Sequence, residues 1–248
     1  MNQSDVTVTV VQSDPRFPLG AFAETFGDHA VVVRLHDGDE VPSLADLGDA
    51  LVVLGGTPSV HDVVGHPWLS PLRTLVADAV AAGVPVLGTG LGAQLLAVAR
   101  GGHVEVSPPP GQEDGTTQVY WRRGACDDPV LAHVVAVEDR TVPVATHHRD
   151  AVVDLPADGV WLGSSALYPF QAFRSGSGLG LQFQPEATRE LVQGWTQGLE
   201  EQAAAAALAA FDEHAERVLG DGRRIAEAFL AQAAVRRARA AGGERVPA

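Results

Sequence analysis

Three alternating glycines, Gly88, Gly90 and Gly92, stand where a short apolar run meets a helix-forming run. Val84 to Leu87 have the character of a buried strand, and Ala93 to Ala99 have high helical propensity. A strand, a sharp turn and a helix in this order place the residue at the tip of the turn at the N-terminus of the helix. Such a turn can hold a reacting group or an anion. Here the tip residue is Gly90, which has no side chain.

The elements before this turn alternate between strand and helix. Strands are predicted at Val6–Val11, Ala30–Leu35 and Ala50–Leu54, and helices at Gly20–Phe26 and Trp68–Ala82. The third strand is almost continuously apolar, which is typical of a parallel strand covered on both faces. The alternation predicts a doubly wound, mostly parallel α/β sheet of the flavodoxin-like kind, with ligands at the carboxyl ends of its strands.

Beyond Val104 the predicted helices disappear until Pro185, which we expect to open a helix running to about Trp195. Short strands separated by proline, glycine and aspartate fill the interval. They are predicted at 117–121, 141–145, 160–165, 170–174 and 180–183. They predict an antiparallel part packed beside the main sheet or extending it.

The tail from Leu199 to Arg239 is rich in alanine and is interrupted at Gly220-Asp221-Gly222. This pattern predicts a helical hairpin that packs on the domain or on a second subunit. The predicted organisation is therefore a main α/β domain over residues 1–196, a C-terminal helical hairpin over 197–240 and a disordered tail over 241–248.

The chain of 248 residues has a net charge of −14, and all seventeen of its basic residues are arginines. Such an acidic protein repels phosphate backbones, which argues against a nucleic-acid partner. The single cysteine, Cys126, excludes an internal disulfide. No apolar run reaches the roughly 18 residues of a membrane span, and the N-terminus lacks the pattern of a signal peptide. We therefore expect a cytoplasmic protein with no membrane partner.

Three segments together resemble the class I glutamine amidotransferases: Leu51–Val60 (LVVLGGTPSV), Pro85–Leu96 (PVLGTGLGAQLL) and Leu181–Ala187 (LQFQPEA). The stretches Thr146–Asp150 and Pro169–Arg174 are similar to the free-standing domains related to the glutaminase half of GMP synthase. The resemblance covers nearly the whole chain. It implies an α/β domain in which a cysteine attacks the amide of glutamine, and a histidine, oriented by a glutamate, takes up the thiol proton. The ammonia released is normally handed to a synthetase partner.

The chain departs from this family at two of its three triad positions. Gly90 stands where the resemblance implies the cysteine, and Gln184 stands where it implies the histidine, while Glu186 retains the orienting glutamate. A glycine has no nucleophile, and a carboxamide does not take up a proton near neutral pH. Loss of nucleophile and base costs on the order of 10⁶ in rate. We therefore expect the glutaminase reaction to be lost.

Polar residues remain around the predicted pocket. The resemblance assigns the oxyanion donors to the backbone N–H groups of Gly56 and Leu91, a substrate contact to Gln94, and a His-x-Asp pair to His148 and Asp150. The predicted ligand-binding set is Gly56, His61, Leu91, Gln94, His147, His148, Arg149 and Asp150. These residues could hold an anionic or amide-bearing ligand, or they could be ordinary loop and surface residues. Adjacent histidines are weak support for a metal site, so neither a metal nor a cofactor is predicted.

Three functions stay open on the sequence. The first is a protein without glutaminase activity that acts as a ligand-binding or non-catalytic subunit, with a synthetase or other protein partner, or as a homodimer through its C-terminal helices. The second is an enzyme repurposed for another reaction on an amide or amino-acid-like substrate, using His148, Gln184 or Glu186. The third is a nucleotide-binding module, because Gly88 to Ala93 matches the G-x-G-x-x-A fingerprint. That fingerprint normally occupies the first strand–helix turn, whereas this turn comes later.

Overall fold

The structure, a computed structural model, describes residues 6–135, 140–197 and 199–241. The strands are β1 (Val8–Gln12), β2 (Ala30–Arg34), β3 (Ala50–Val53), β4 (Val86–Thr89), β5 (His103–Glu105), β6 (Glu113–Trp121), β7 (Thr141–His148), β8 (Ala151–Asp154), β9 (Val160–Ser164), β10 (Ala172–Ser175) and β11 (Gly178–Leu181). The α-helices are α1 (Phe22–Phe26), α2 (Leu69–Ala81), α3 (Leu91–Ala99), α4 (Arg189–Trp195) and α5 (Glu201–Ala241).

Nine of these strands form one sheet in the order β2-β1-β3-β4-β11-β10-β9-β6-β7. The strands from β2 to β11 in that order run parallel, and β10, β9, β6 and β7 continue the sheet with antiparallel pairing. The predicted mostly parallel α/β sheet with an antiparallel extension is thus confirmed. A separate ribbon of β5 and β8 was not predicted.

Alternate residues of the parallel strands pack into two different core layers. On one face Val10 and Val52 pack with Phe22 of α1 and Phe229 of α5. On the other face Val11, Leu51 and Val53 pack with apolar residues of α2 and α3. Burial on both faces is the reason why the central strand β3 is apolar throughout.

The predicted C-terminal hairpin is wrong, because α5 runs without a break through Gly220-Asp221-Gly222. Gly222 lies so close to the main domain that a Cβ atom there would stand 2.1 Å from the carbonyl oxygen of Pro185. Asp221 is buried and accepts hydrogen bonds from Arg217 and Arg224 of the same helix. The glycine therefore permits close helix packing and does not mark a turn. Of the predicted tail, Ala241 ends α5 and residues 242–248 lie outside the described residues.

The predicted start of a helix at Pro185 is also wrong. Helix α4 begins at Arg189, after Thr188, whose hydroxyl accepts a hydrogen bond from the Leu191 N–H as an N-cap. The preceding residues form a turn whose Glu186 carbonyl accepts a hydrogen bond from the Ala21 N–H. None of the helices within the described ranges combines the length and the apolarity that crossing a membrane requires.

Candidate functional site

The sharp turn predicted at the three glycines lies between β4 and α3. Gly90 joins the two elements with φ +50° and ψ −112°, a conformation that L side chains rarely adopt and that glycine accepts at little cost. The flanking glycines serve packing, because a Cβ on Gly92 would stand 1.9 Å from the Val53 carbonyl oxygen and one on Gly88 would stand 2.4 Å from the Gly92 backbone. The turn therefore holds α3 tightly against the sheet.

The side chain of Gln184 covers the tip of this turn. An ideal Cβ on Gly90 would lie 2.7 Å from Gln184 Nε2, closer than real Cβ contacts. Two hydrogen bonds fix the amide: the His147 N–H donates to Gln184 Oε1 at 2.9 Å, and Gln184 Nε2 donates to the His147 carbonyl at 3.4 Å. The glutamine amide thus occupies space that a side chain at position 90 would need.

Glu186 is sealed inside the protein behind the turn. It is fully buried, and Thr89 Oγ1 donates a hydrogen bond of 3.0 Å to its Oε1. Its other oxygen, Oε2, has no hydrogen-bond partner among the described residues. Burial raises the pKa of Glu186 to about 7, against the opposing effect of hydrogen bonds from its own backbone N–H and from Thr89. The carboxyl group is therefore part of the buried interior and has no histidine to orient.

A cavity of about 140 Å³ opens beside the turn, at the carboxyl ends of β1, β3 and β4. It brings together seven members of the predicted set: Gly56, Leu91, Gln94, His147, His148, Arg149 and Asp150. The eighth, His61, lies outside the cavity, with its Nε2 2.9 Å from the Val104 carbonyl oxygen. Neither Gly90 nor Gln184 lines the cavity.

Sequence reasoning missed four further lining residues, Phe17, Thr57, Pro58 and Gln112. Phe17 and Thr57 follow the ends of β1 and β3, so the rule that ligands bind at the carboxyl ends of parallel strands could have found them. Phe17, His147 and Trp195 form a stack of rings, with the planes of the last two only 9° apart.

Both donor and acceptor groups face the cavity region. The backbone N–H groups of Gly56 and Leu91 make no hydrogen bond to another described residue. Gln94 is fixed by its Nε2, which donates to the Asp150 carbonyl at 2.8 Å. Asp150 Oδ1 accepts hydrogen bonds from the Ser107 N–H and from Arg149 Nε, each at 3.3 Å, and its Oδ2 has no partner within the described residues. This arrangement suits a small polar ligand.

The two neighbouring histidines have different surroundings. His148 is buried, with Nδ1 3.1 Å from the Asp150 carbonyl oxygen and Nε2 2.9 Å from Glu113 Oε2. Both ring nitrogens are thus engaged by groups of the protein, and neither is free for a ligand. His147 Nδ1 instead lies 2.6 Å from Asp114 Oδ1. Burial raises the pKa of Asp114, but hydrogen bonds to His147 and Gln112 outweigh this effect and hold it below its usual value.

The adjacent histidines contact different carboxyl groups, His147 that of Asp114 and His148 that of Glu113. Within the described ranges, no group of three or more histidine, cysteine, aspartate or glutamate residues is arranged to hold a metal ion.

Comparisons with known proteins agree with this fold. The family model "Glutamine amidotransferase class-I" matches residues 25–193. Among curated proteins, the chain is 32% identical over 162 residues to GMP synthase [glutamine-hydrolyzing] of Nitrosococcus oceani, a match covering 64% of this chain and 29% of that protein. The chain thus spans less than a third of the length of this relative.

Two solved structures have the same fold. A glutamine amidotransferase from Thermotoga maritima superimposes with a TM-score of 0.78 at 21% identity, covering 91% of this chain and 98% of that one. A glutamine amidotransferase from Methylobacillus flagellatus gives 0.75 at 24% identity, covering 98% and 97%. At these identities the likeness concerns the fold alone.

Proposed function

We propose that this chain, which belongs to the class I glutamine amidotransferase family, is a ligand-binding or non-catalytic subunit without glutaminase activity. The observation that carries the proposal is the tip of the turn: Gly90 has no side chain, and the amide of Gln184 fills the space above it. The family reaction needs a nucleophile at this tip and a base beside it.

Two of the three side-chain roles in the reaction, nucleophile and base, lack a suitable group in this chain. Gly90 cannot attack a carbonyl carbon, and the Gln184 amide, held by the His147 backbone, cannot accept a proton. Glu186 remains, but it is fully buried and pairs with Thr89. Loss of nucleophile and base together lowers the rate by about 10⁶ in a comparable triad.

The cavity supports the ligand-binding part of the proposal. Two backbone N–H groups without a partner among the described residues, at Gly56 and Leu91, can donate to a carbonyl or carboxylate oxygen. Arg149, Gln94 and Asp150 add charge and hydrogen-bonding capacity beside them. A volume of about 140 Å³ is below the roughly 300–1,000 Å³ of drug-sized sites. We therefore propose a ligand of amino-acid size that carries an amide or a carboxylate.

The geometry gives less support to the two other hypotheses. A repurposed enzyme would need a free acid or base, yet His148 has both nitrogens engaged and Glu186 does not reach the cavity. A nucleotide would need a larger space than the small cavity beside Gly90 and Leu91. A binding role requires neither a free acid or base nor a larger cavity.

We propose a role as a subunit because the matched curated relative is much longer than the region that it shares with this chain. The match covers 29% of a GMP synthase, so the matched region corresponds to one part of a larger enzyme and would act together with a partner. We propose a synthetase or another protein as that partner.

A glutaminase assay tests the loss of activity. The wild-type protein should release no ammonia from glutamine above background, and Gly90→Cys alone should not restore release, because the new side chain meets Gln184. The double variant Gly90→Cys/Gln184→His supplies both missing groups and tests whether the cavity still accepts glutamine. Ammonia release by the wild type at ordinary rates that survives Cys126→Ala would contradict the proposal.

Ligand binding is tested separately by calorimetric titration with L-glutamine and L-glutamate and by mass spectrometry of small molecules that copurify. Gln94→Ala should weaken any binding found, while Gln202→Ala, on the exposed start of α5, should leave it unchanged. Equal binding by both variants would place the ligand elsewhere.

A further inference from the structure

The C-terminal half of α5 borders a groove of about 940 Å³. The groove lies at the amino-terminal ends of the central strands, whereas Gly90 lies at their carboxyl ends. The other wall includes Gly83 and Pro85 before β4 and Gly176 and Ser177 before β11. One stripe of the helix lines the groove over about four turns. The helix stripe consists of Arg224, Glu227, Ala228, Ala231, Gln232, Val235, Arg236 and Arg239.

The helix stripe carries charges that have no partner. Glu227, Arg236 and Arg239 form no ion pair or hydrogen bond with any other described residue. Val235, in the same stripe, is 51% exposed. By contrast, Arg224 is paired with Asp221 at 2.7 Å. An anion, two cations and an exposed apolar side chain are thus left unmatched on one face.

The order of residues in the helix stripe is self-complementary. If a second α5 lies antiparallel with a two-fold axis between Ala231 and Gln232, position 227 faces 236, position 228 faces 235, and 231 faces 232. Every member of the stripe then meets another member, as an isologous contact requires. Ala231 is exposed, whereas Ala228 is only 8% exposed where it lines the groove; both are small, which allows helix axes to approach to about 8–10 Å.

We propose that a second copy of this chain occupies the groove, with α5 packed antiparallel against α5 in a two-fold dimer. Glu227 of each copy pairs with Arg236 of the other, and Val235 of each packs on Ala228 of the other. Arg224 faces Arg239 at the ends of the contact, where Asp221 offsets the Arg224 charge. This inference goes beyond the proposed function and does not depend on it.

The mixed charges of the helix stripe favour a second copy of this chain over an acidic segment of another protein. Such a segment would be attracted by Arg236 and Arg239 but repelled by Glu227, which lies within the same helix stripe. A second copy instead places Arg236 opposite Glu227 at two symmetric positions.

Sedimentation equilibrium of the full chain tests the proposal. The wild type should form a dimer, and Glu227→Arg and Arg236→Glu should each raise the dissociation constant by roughly tenfold or more, because like charges then face each other twice in the symmetric contact. The double variant Glu227→Arg/Arg236→Glu should restore the dimer. An equal mixture of the two single variants should form a heterodimer, since opposite charges then meet at both positions.

Glu213→Arg is the matched control, because Glu213 is exposed on α5 outside the helix stripe. It should leave the dissociation constant unchanged, and circular dichroism should confirm that every variant is folded. A wild type that stays monomeric at the highest soluble concentration would overturn the proposal. So would a dimer that both single variants leave intact, or single variants that fail to associate when mixed. None of these outcomes depends on glutaminase activity, so the proposed dimer and the proposed function can be refuted independently of each other.

Discussion

The buried carboxyl group of Glu186 makes the stability of this protein depend on pH. Its Oε1 accepts a hydrogen bond from Thr89, its Oε2 has no partner among the described residues, and burial raises its pKa from 4.5 to about 7. Glu186→Gln preserves the shape and the acceptor for Thr89 but removes the titration. The difference in stability between the two proteins should therefore change with pH.

The direction follows from which state binds the proton more tightly. Because the pKa of Glu186 is higher in the folded protein, its protonated form contributes stability that is fully present below pH 4.5 and is lost as the pH rises to about 7. At about 1.4 kcal/mol per pKa unit, the shift corresponds to a loss of about 3 kcal/mol. The NH2 group of the variant takes the place of Oε2, which has no partner among the described residues, and its burial adds a constant cost of about 1–3 kcal/mol. The change with pH of the stability difference between Glu186→Gln and the wild type is therefore more informative than that difference at any single pH.

Urea denaturation at a series of pH values from 4.5 to 8 measures the effect. The free energy of unfolding of Glu186→Gln, relative to the wild type, should rise by about 3 kcal/mol across this range. Glu213→Gln is the control, since Glu213 is exposed on the surface of α5. Its difference from the wild type should stay constant. A constant difference for Glu186→Gln as well would refute the reasoning.

Three further predictions concern packing and a buried hydrogen bond. Gly222→Ala should lower the free energy of unfolding by about 1–3 kcal/mol, because its Cβ would meet the Pro185 carbonyl. Gly220→Ala, with open space around it, should raise that free energy by up to about 1 kcal/mol; equal effects in urea denaturation would contradict the close packing of α5. His148→Ala should lower the free energy of unfolding by about 1–3 kcal/mol, because it removes a hydrogen-bond partner of the buried Glu113 carboxyl group; a cost below about 0.5 kcal/mol in the same assay would refute that contact.

Most of the sheet could be predicted from the chain because local patterns determine it. Continuous apolar runs such as Ala50–Leu54 indicate strands buried on both faces, and the structure places β3 there. The elements with weak patterns were missed: β5 and β8 are short, with only three and four residues. The hairpin at Gly220-Asp221-Gly222 was predicted wrongly, since a glycine that permits close packing looks the same in sequence as one that permits a turn.

The residue types at the candidate site were visible in the sequence, but their surroundings were not. Gly90, Gln184 and Glu186 stand at recognisable positions of a motif. Only the fold revealed that the Gln184 amide covers Gly90, that Glu186 bonds to Thr89, and that His61 lies outside the cavity. The sequence alone thus determined most of the strands and the turn, which depend on neighbouring residues. The tertiary structure decided the contacts between Gly90 and Gln184 and between Thr89 and Glu186, because residues more than ninety positions apart meet only when the sheet assembles.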